Sequence, residues 1–190
     1  PELIAEILLL PPEKLAELKE VSARYPILVS PYYLSLIDPE DNDDPIMRQA
    51  IPVIDEILDK SGMYDPLEEE KDMPVAGLTH RYPDRVLLVL TNICPTYCRF
   101  CTRKRILGKA GKVALHRHFA SALEYIREHK EIHDVVLSGG DPLTLPNAIL
   151  RRVIMEISRL ENVDIIRLGT RAPVTLPMRF FDDELLHILE

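Results

Sequence analysis

Residues 85 to 101 read RVLLVLTNICPTYCRFC, a run of mostly branched apolar residues leading within a few positions to Cys94, Cys98 and Cys101, the three cysteines of a 190-residue chain. The apolar stretch Val86 to Leu90 falls far short of the roughly 20 residues a membrane span needs, but it suits a strand buried on both faces. Two further runs of this kind follow, DVVLSGGD (134–141) and DIIRLGT (164–170). Leu115, Phe119, Leu123 and Ile126 mark a helix near 115–129, and Ile149, Leu150, Val153, Ile154, Ile157 and Leu160 mark another over 147–160. Strand, helix, strand, helix, strand predicts an α/β fold with right-handed crossovers, either an open sheet or part of a barrel. In both architectures active sites lie at the carboxyl ends of the strands. The cysteines, Ser138-Gly139-Gly140-Asp141 and Gly169-Thr170-Arg171 all fall at such ends.

Upstream the chain has a different character. Of sixteen prolines, eleven lie in the first 83 residues, which predicts short helices broken by turns. Pro12 suits the start of a helix in which Leu15, Leu18 and Val21 share a face, and Pro52 disturbs a helix expected over Pro45 to Leu58. Two regions are therefore expected, a proline-rich helical one over 1–84 and the strand-helix series over 85–190. The acidic run Glu68 to Asp72 reads as a solvated loop.

At 46% apolar the chain can bury roughly 70% of its unfolded surface, enough for an ordinary core. Its net charge of -8 argues against general nucleic-acid binding. Yet residues 81 to 119 hold nine Lys or Arg and one acid, Asp84, so that segment is about +8 and the remainder about -16. The asymmetry points to a small anion, a phosphate or carboxylate, in a local basic pocket, or else to a solvated basic loop. An odd cysteine count with no recognisable leader suggests a reducing compartment, the cytoplasm, and no membrane association.

The spacing C-x3-C-x2-C in one short loop brings thiols together only around a common metal centre. Zinc in a closed site wants a fourth protein ligand, for which His116 and His118 are the nearby candidates. A four-iron cluster can use three thiolates and leave one iron open, and redox-active or incidental thiols are a third reading. SGGDP (138–142) also reads as a strand-to-helix turn capped by Asp141, with Pro142 at the first helical position.

C-x3-C-x-aromatic-C after the first strand, with Phe100 as the aromatic, followed by a glycine-rich end to the second strand, resembles the radical S-adenosylmethionine (SAM) superfamily. Four longer stretches narrow the likeness: SPYYLSLIDPEDNDDPIMRQAIP (30–52), GLTHRYPDRVLLVLTNICPTYCRFCTRKR (77–105), VVLSGGDPL (135–143) and IIRLGTRAPVTLPMRF (165–180). In order and approximate spacing they resemble the lysine 2,3-aminomutase family. The resemblance implies a partial TIM-like barrel and an isomerase that moves an amino group from the α to the β carbon of a small amino acid, most simply L-lysine. Its cofactors are then a [4Fe-4S] cluster, SAM and pyridoxal 5'-phosphate, served by an external one-electron reductant, in an enzyme that is a homo-oligomer when complete. Glutamate 2,3-aminomutase, a relative acting on a lysyl residue of a translation factor, and a non-catalytic iron-sulfur or zinc module are the alternatives.

By the same resemblance Cys94, Cys98 and Cys101 ligate the cluster and Phe100 lies by SAM. Gly139, Gly140 and Asp141 form the loop on SAM's methionine side, the glycines admitting the methionine amino group to the backbone. Arg81, Tyr82 and Arg85 match the pyridoxal-phosphate segment, with Arg171 a weaker candidate, and Arg103 matches the arginine that holds the substrate carboxylate. For the arginines, surface ion pairing is the plain alternative. Lys104 and Arg105 carry no assigned role beyond positive potential. The family's lysine that anchors pyridoxal phosphate has no counterpart here, so no catalytic residue is assigned. The chain begins without Met and ends in an apparent helix, DDELLHILE (182–190), after three of about six expected strand-helix units, which reads as the amino-terminal part of an aminomutase.

Overall fold

The computed structural model describes residues 1–108 and 118–190. Five of the residues read above, Lys109, Lys112, Leu115, His116 and Arg117, lie outside them. The described residues form two compact units, one of residues 1–66 and 95–107, the other drawn from 67–94 and 108–190.

In the first unit, prolines set helix limits as expected, and polar caps add others. Helix α1 (Glu2–Ile7) stops before Pro11 and Pro12, and α2 (Pro12–Arg24) starts on Pro12, burying Leu18 and Val21. Ser30 caps α3 (Pro31–Leu34) by accepting the Tyr33 N–H. Asp44 caps α4 (Pro45–Ala50) by accepting from Ile46 and Met47, and after the break at Pro52 the chain resumes as α5 (Asp55–Leu58). Leu8, Leu18, Tyr33, Leu34, Ile37, Ala50 and Ile51 form this unit's core.

The second unit is a four-stranded sheet in the order β1-β2-β3-β4, formed by β1 (Leu78–Tyr82), β2 (Arg85–Thr91), β3 (Asp134–Gly139) and β4 (Ile165–Leu168). Strands β2, β3 and β4 are parallel neighbours, separated in sequence by α6 (Phe119–Glu128) and α7 (Asn147–Ser158). Phe119, Ala122 and Ile126 of α6 and Val153 and Ile157 of α7 share one core with Val86, Leu88, Leu90, Val135 and Leu137. Beyond β4 come α8 (Ala172–Thr175) and α9 (Asp183–Leu189), with Leu185 packed on Leu143, Leu150 and Ala172.

Three expectations change. HRYPDR forms a hairpin whose β1 pairs antiparallel with β2, so the sheet is mixed and the expected boundary at 84/85 falls inside a strand pair. Strand β4 is not buried: it takes the sheet edge, with Ile165 exposed. The acidic run is not simply solvated, because Glu69 is buried and Asp72 pairs with Arg81 at 2.7 Å.

Candidate functional site

The loops at the carboxyl ends of β2 and β3 are bolted together. Leaving β2, the Thr91 carbonyl accepts the Gly140 N–H at 2.6 Å. The Ile93 carbonyl, one residue before Cys94, accepts the Asp141 N–H at 2.8 Å and the Thr144 hydroxyl at 3.2 Å. Glycine is demanded at both central positions. Gly139 has φ +127°, in the region L side chains avoid, and a Cβ there would collide with the Thr91 carbonyl oxygen. A Cβ on Gly140 would strike the Ile93 backbone. The structural need for these glycines is therefore the close approach of the segment leading to Cys94.

Asp141 is buried, and its carboxylate is fully engaged by the protein. It accepts the Leu143 N–H at 3.0 Å, which caps the 3-10 turn Pro142–Thr144 as the sequence suggested. It also takes the Thr170 hydroxyl at 2.7 Å, the Arg171 N–H at 2.8 Å and the Ala172 N–H at 3.1 Å. One carboxylate thus joins the loops after β3 and β4. Its side chain is a tie between strand ends, and what the loop offers a ligand is its backbone.

Arg81, Tyr82 and Arg85 lie at the other end of the sheet. Tyr82 pairs with Arg85 at the amino end of β2, six residue steps, about 20 Å, from Thr91. Arg81 donates to Asp72 and to the Leu67 carbonyl. Arg85 binds Asp134 at 2.6 Å, and Asp134 also meets Arg167 at 3.0 Å, so one buried acid links the starts of β2 and β3 to the adjoining β4. The structure thus gathers Cys94, Gly139, Gly140, Asp141 and Arg171 at one end of this unit and sets Arg81, Tyr82 and Arg85 apart from them, so the four residues expected at the phosphate are not brought together.

Cys98, Phe100, Cys101 and Arg103 belong to the first unit. Cys98 and Cys101 share one turn, the Cys101 N–H donating to the Cys98 carbonyl at 3.2 Å, and the Arg103 N–H points at the Cys101 sulfur at 3.4 Å. Burial pushes the Cys101 thiol up, and that N–H opposes the rise. Phe100 is 65% exposed. None of the three cysteines is in a disulfide, and an N–H directed at sulfur is a donor that thiolates holding an iron-sulfur cluster receive, so this donor set fits such a group. Among the described residues no three His, Cys, Asp or Glu side chains are gathered as a metal site, and exposed His118 stands at the start of α6.

Sequence reading missed Glu56. Its carboxylate forms a two-toothed pair with Arg99, at 2.9 Å and 2.6 Å, and takes Lys104 at 2.6 Å. Arg105 pairs with Asp65 at 3.0 Å. Lys104 and Arg105, left without roles by the sequence, are thus bound in ion pairs. A partly buried acid distant in sequence leaves no local signal, and only the surplus of cations over 99–105 hinted at one.

The family model of the radical SAM superfamily matches residues 88–190, more than half of the chain. The chain belongs to the radical SAM superfamily. An Aquifex aeolicus protein provisionally named L-lysine 2,3-aminomutase is 47% identical over 190 residues, 98% of this chain. The L-lysine 2,3-aminomutase of Clostridium subterminale is 45% identical over 85% of it, and the glutamate 2,3-aminomutase of Clostridioides difficile 40% identical over 95%. The chain spans between 39 and 51% of the length of these three relatives. Membership of the radical SAM superfamily implies a [4Fe-4S] cluster and SAM. No helix among the described residues is long and apolar enough to cross a membrane.

Proposed function

We propose that this protein is the cluster-bearing part of a radical SAM, pyridoxal-phosphate-dependent 2,3-aminomutase that moves the α-amino group of L-lysine to the β carbon. The observation that carries the proposal is the bolting of the SGGD loop to the residues just before Cys94, since it fixes a cysteine segment against a glycine-lined backbone at the carboxyl ends of parallel strands. Lysine is favoured because relatives named for it reach 45 and 47% identity, against 40% for the glutamate enzyme. When bound, the cluster supplies the electron that cleaves SAM, and pyridoxal phosphate supplies conjugation for the nitrogen shift.

The chain's own part is to hold and position. Cys94, Cys98 and Cys101 provide thiolates, and Gly139 to Asp141 present a backbone wall that a side chain would block. Exposed Phe100 offers an aromatic face, and Arg103 a fork for the substrate carboxylate. Arg81, Tyr82 and Arg85, with Arg171, are the proposed phosphate residues; a phosphate at the first three competes with Asp72 for Arg81 and with Asp134 for Arg85. We read the parallel strands β2, β3 and β4 as the opening strands of a partial barrel. The complete enzyme is then a cytoplasmic homo-oligomer using an external one-electron reductant.

Anaerobic reconstitution followed by iron and sulfide analysis tests the cluster. About four irons with matching sulfide are expected, lost when Cys94, Cys98 or Cys101 becomes Ala. One zinc and no sulfide would make the protein a structural module. In the complete enzyme, β-lysine formed faster than β-glutamate supports lysine, and the reverse order assigns glutamate.

A further inference from the structure

The first unit builds a charged clamp around the turn that holds Cys98 and Cys101. Glu56, on α5, lies 43 residues from Arg99 and 48 from Lys104, yet takes both. Arg99 stands between the two cysteines, and Lys104 follows Cys101 by three residues, its N–H bonded to the Cys101 carbonyl at 3.2 Å. The acid therefore holds the turn from both sides. The clamp is largely shielded from water: the Arg99 side chain is 7% exposed, that of Glu56 10% and that of Lys104 21%. Other bonds locate the same loop. The Arg99 N–H donates to the Gln49 carbonyl at 2.8 Å, its guanidinium to the Pro26 carbonyl at 3.1 Å, and the Tyr97 N–H to the Leu28 carbonyl at 2.8 Å. With the backbone fixed this firmly, the Glu56 carboxylate is not needed only to locate the turn. Its particular contribution is charge: two cations beside two cysteines carry a net charge of one with Glu56 present and of two without it.

We propose that Glu56 is a positioning residue that sets the electrostatics of the cysteine turn, holding the reduction potential of the cluster low by neutralising one of the two cations it clamps beside Cys98 and Cys101. The inference rests on the cluster reading above. Iron-sulfur potentials follow net charge, hydrogen bonding to sulfur and solvent exposure. A low potential is what a one-electron reductant of SAM requires. Lys104 also lies 5.0 Å from the Tyr25 ring centroid, so the acid and the ring together fix where that charge sits.

The test is a redox titration of the reconstituted protein, followed by the EPR signal of the reduced cluster. Glu56→Gln keeps the shape and removes the charge, so its midpoint should move positive. Glu56→Asp should lie between it and the wild type, and adding Lys104→Met to Glu56→Gln should bring the midpoint back. A loaded Glu56→Gln protein with the wild-type midpoint overturns the proposal. Should that variant fail to fold, Lys104→Met alone decides, since it leaves the Arg99–Glu56 fork intact: it must move the midpoint negative, and an unmoved value overturns the proposal. Wild-type protein that takes up no cluster defeats the cluster reading itself, whereas a loaded wild type with unmoved variants defeats only the role of Glu56.

Discussion

Two glycines in this chain make opposite predictions from the same substitution. A Cβ on Gly140 would enter the Ile93 backbone, which cannot retreat because its carbonyl is held by Asp141 and Thr144. A Cβ on Gly62 meets nothing within 4 Å. Gly140→Ala should therefore destabilise by about 1–3 kcal/mol, the usual cost of overpacking, and Gly62→Ala should be neutral or gain up to about 1 kcal/mol from the restricted unfolded chain. Thermal melts of the two variants check this, and equal melting temperatures would refute the contact. The sequence had pointed to Gly139 and Gly140 through ligand access, and the structure adds the nearer cause in residues 91–93, which no reading of SGGD alone contains. Arg103 is the other residue to test singly. At an effective dielectric near 20 a cation and a carboxylate 4 Å apart gain about 4 kcal/mol, against about 1 in water, before desolvation is subtracted. In the complete enzyme Arg103→Lys should raise KM for the amino acid more than it lowers kcat, since an ammonium cannot replace a guanidinium fork. Unchanged substrate kinetics would remove Arg103 from the pocket.

Helix α5 is four residues long and weak by itself, and Glu56 joins it to the cysteine loop. Burial pushes the Glu56 carboxyl up, but hydrogen bonds from Arg99 and Lys104 outweigh it and hold the group below its usual range. A carboxyl depressed in the folded state stabilises the fold above its unfolded value, about 4.3, and that stabilisation is lost as pH falls from there through the folded value. The wild type should therefore lose melting temperature below about pH 4.3 more steeply than Glu56→Gln. At pH 6 the variant should already be less stable by about 1–3 kcal/mol, since it leaves buried Arg99 and partly exposed Lys104 without their acid. Parallel pH profiles would show that Glu56 titrates without consequence. Elements differ in how far the sequence announces them. Strands β2 and β3 are apolar enough to be read directly, and α7 shows its period through Leu150, Val153 and Ile157. LTHRY gives no such signal, because β1 lies at the sheet edge with Arg81 and Tyr82 exposed and exists through its pairing with β2. The same holds for the Glu56 clamp, whose partners are set by the fold and not by local pattern.

Across the whole chain, the parts assigned to SAM and to the amino acid separate. The cysteine motif and the bolted glycine loop are present, and the chain belongs to a superfamily that uses SAM. The resemblance supplies no match here for the lysine that anchors pyridoxal phosphate. Of the residues proposed for its phosphate, Arg81 and Arg85 sit about 20 Å along β2 from the glycine loop, in pairs with Asp72 and Asp134. Arg81 and Arg85 can hold a phosphate, yet a guanidinium that stays protonated cannot supply the amine for a covalent link. The 190 residues alone, reconstituted and reduced with dithionite, should therefore perturb the cluster EPR signal on adding SAM and release 5'-deoxyadenosine slowly, while forming no β-amino acid from lysine or glutamate with pyridoxal phosphate supplied. Both products are scored in one anaerobic assay. Multiple turnovers of β-lysine or β-glutamate would place the full catalytic apparatus within this chain, whereas loss of the SAM response in Gly140→Ala, with iron content unchanged, would tie the glycine loop to SAM binding and not to cluster assembly.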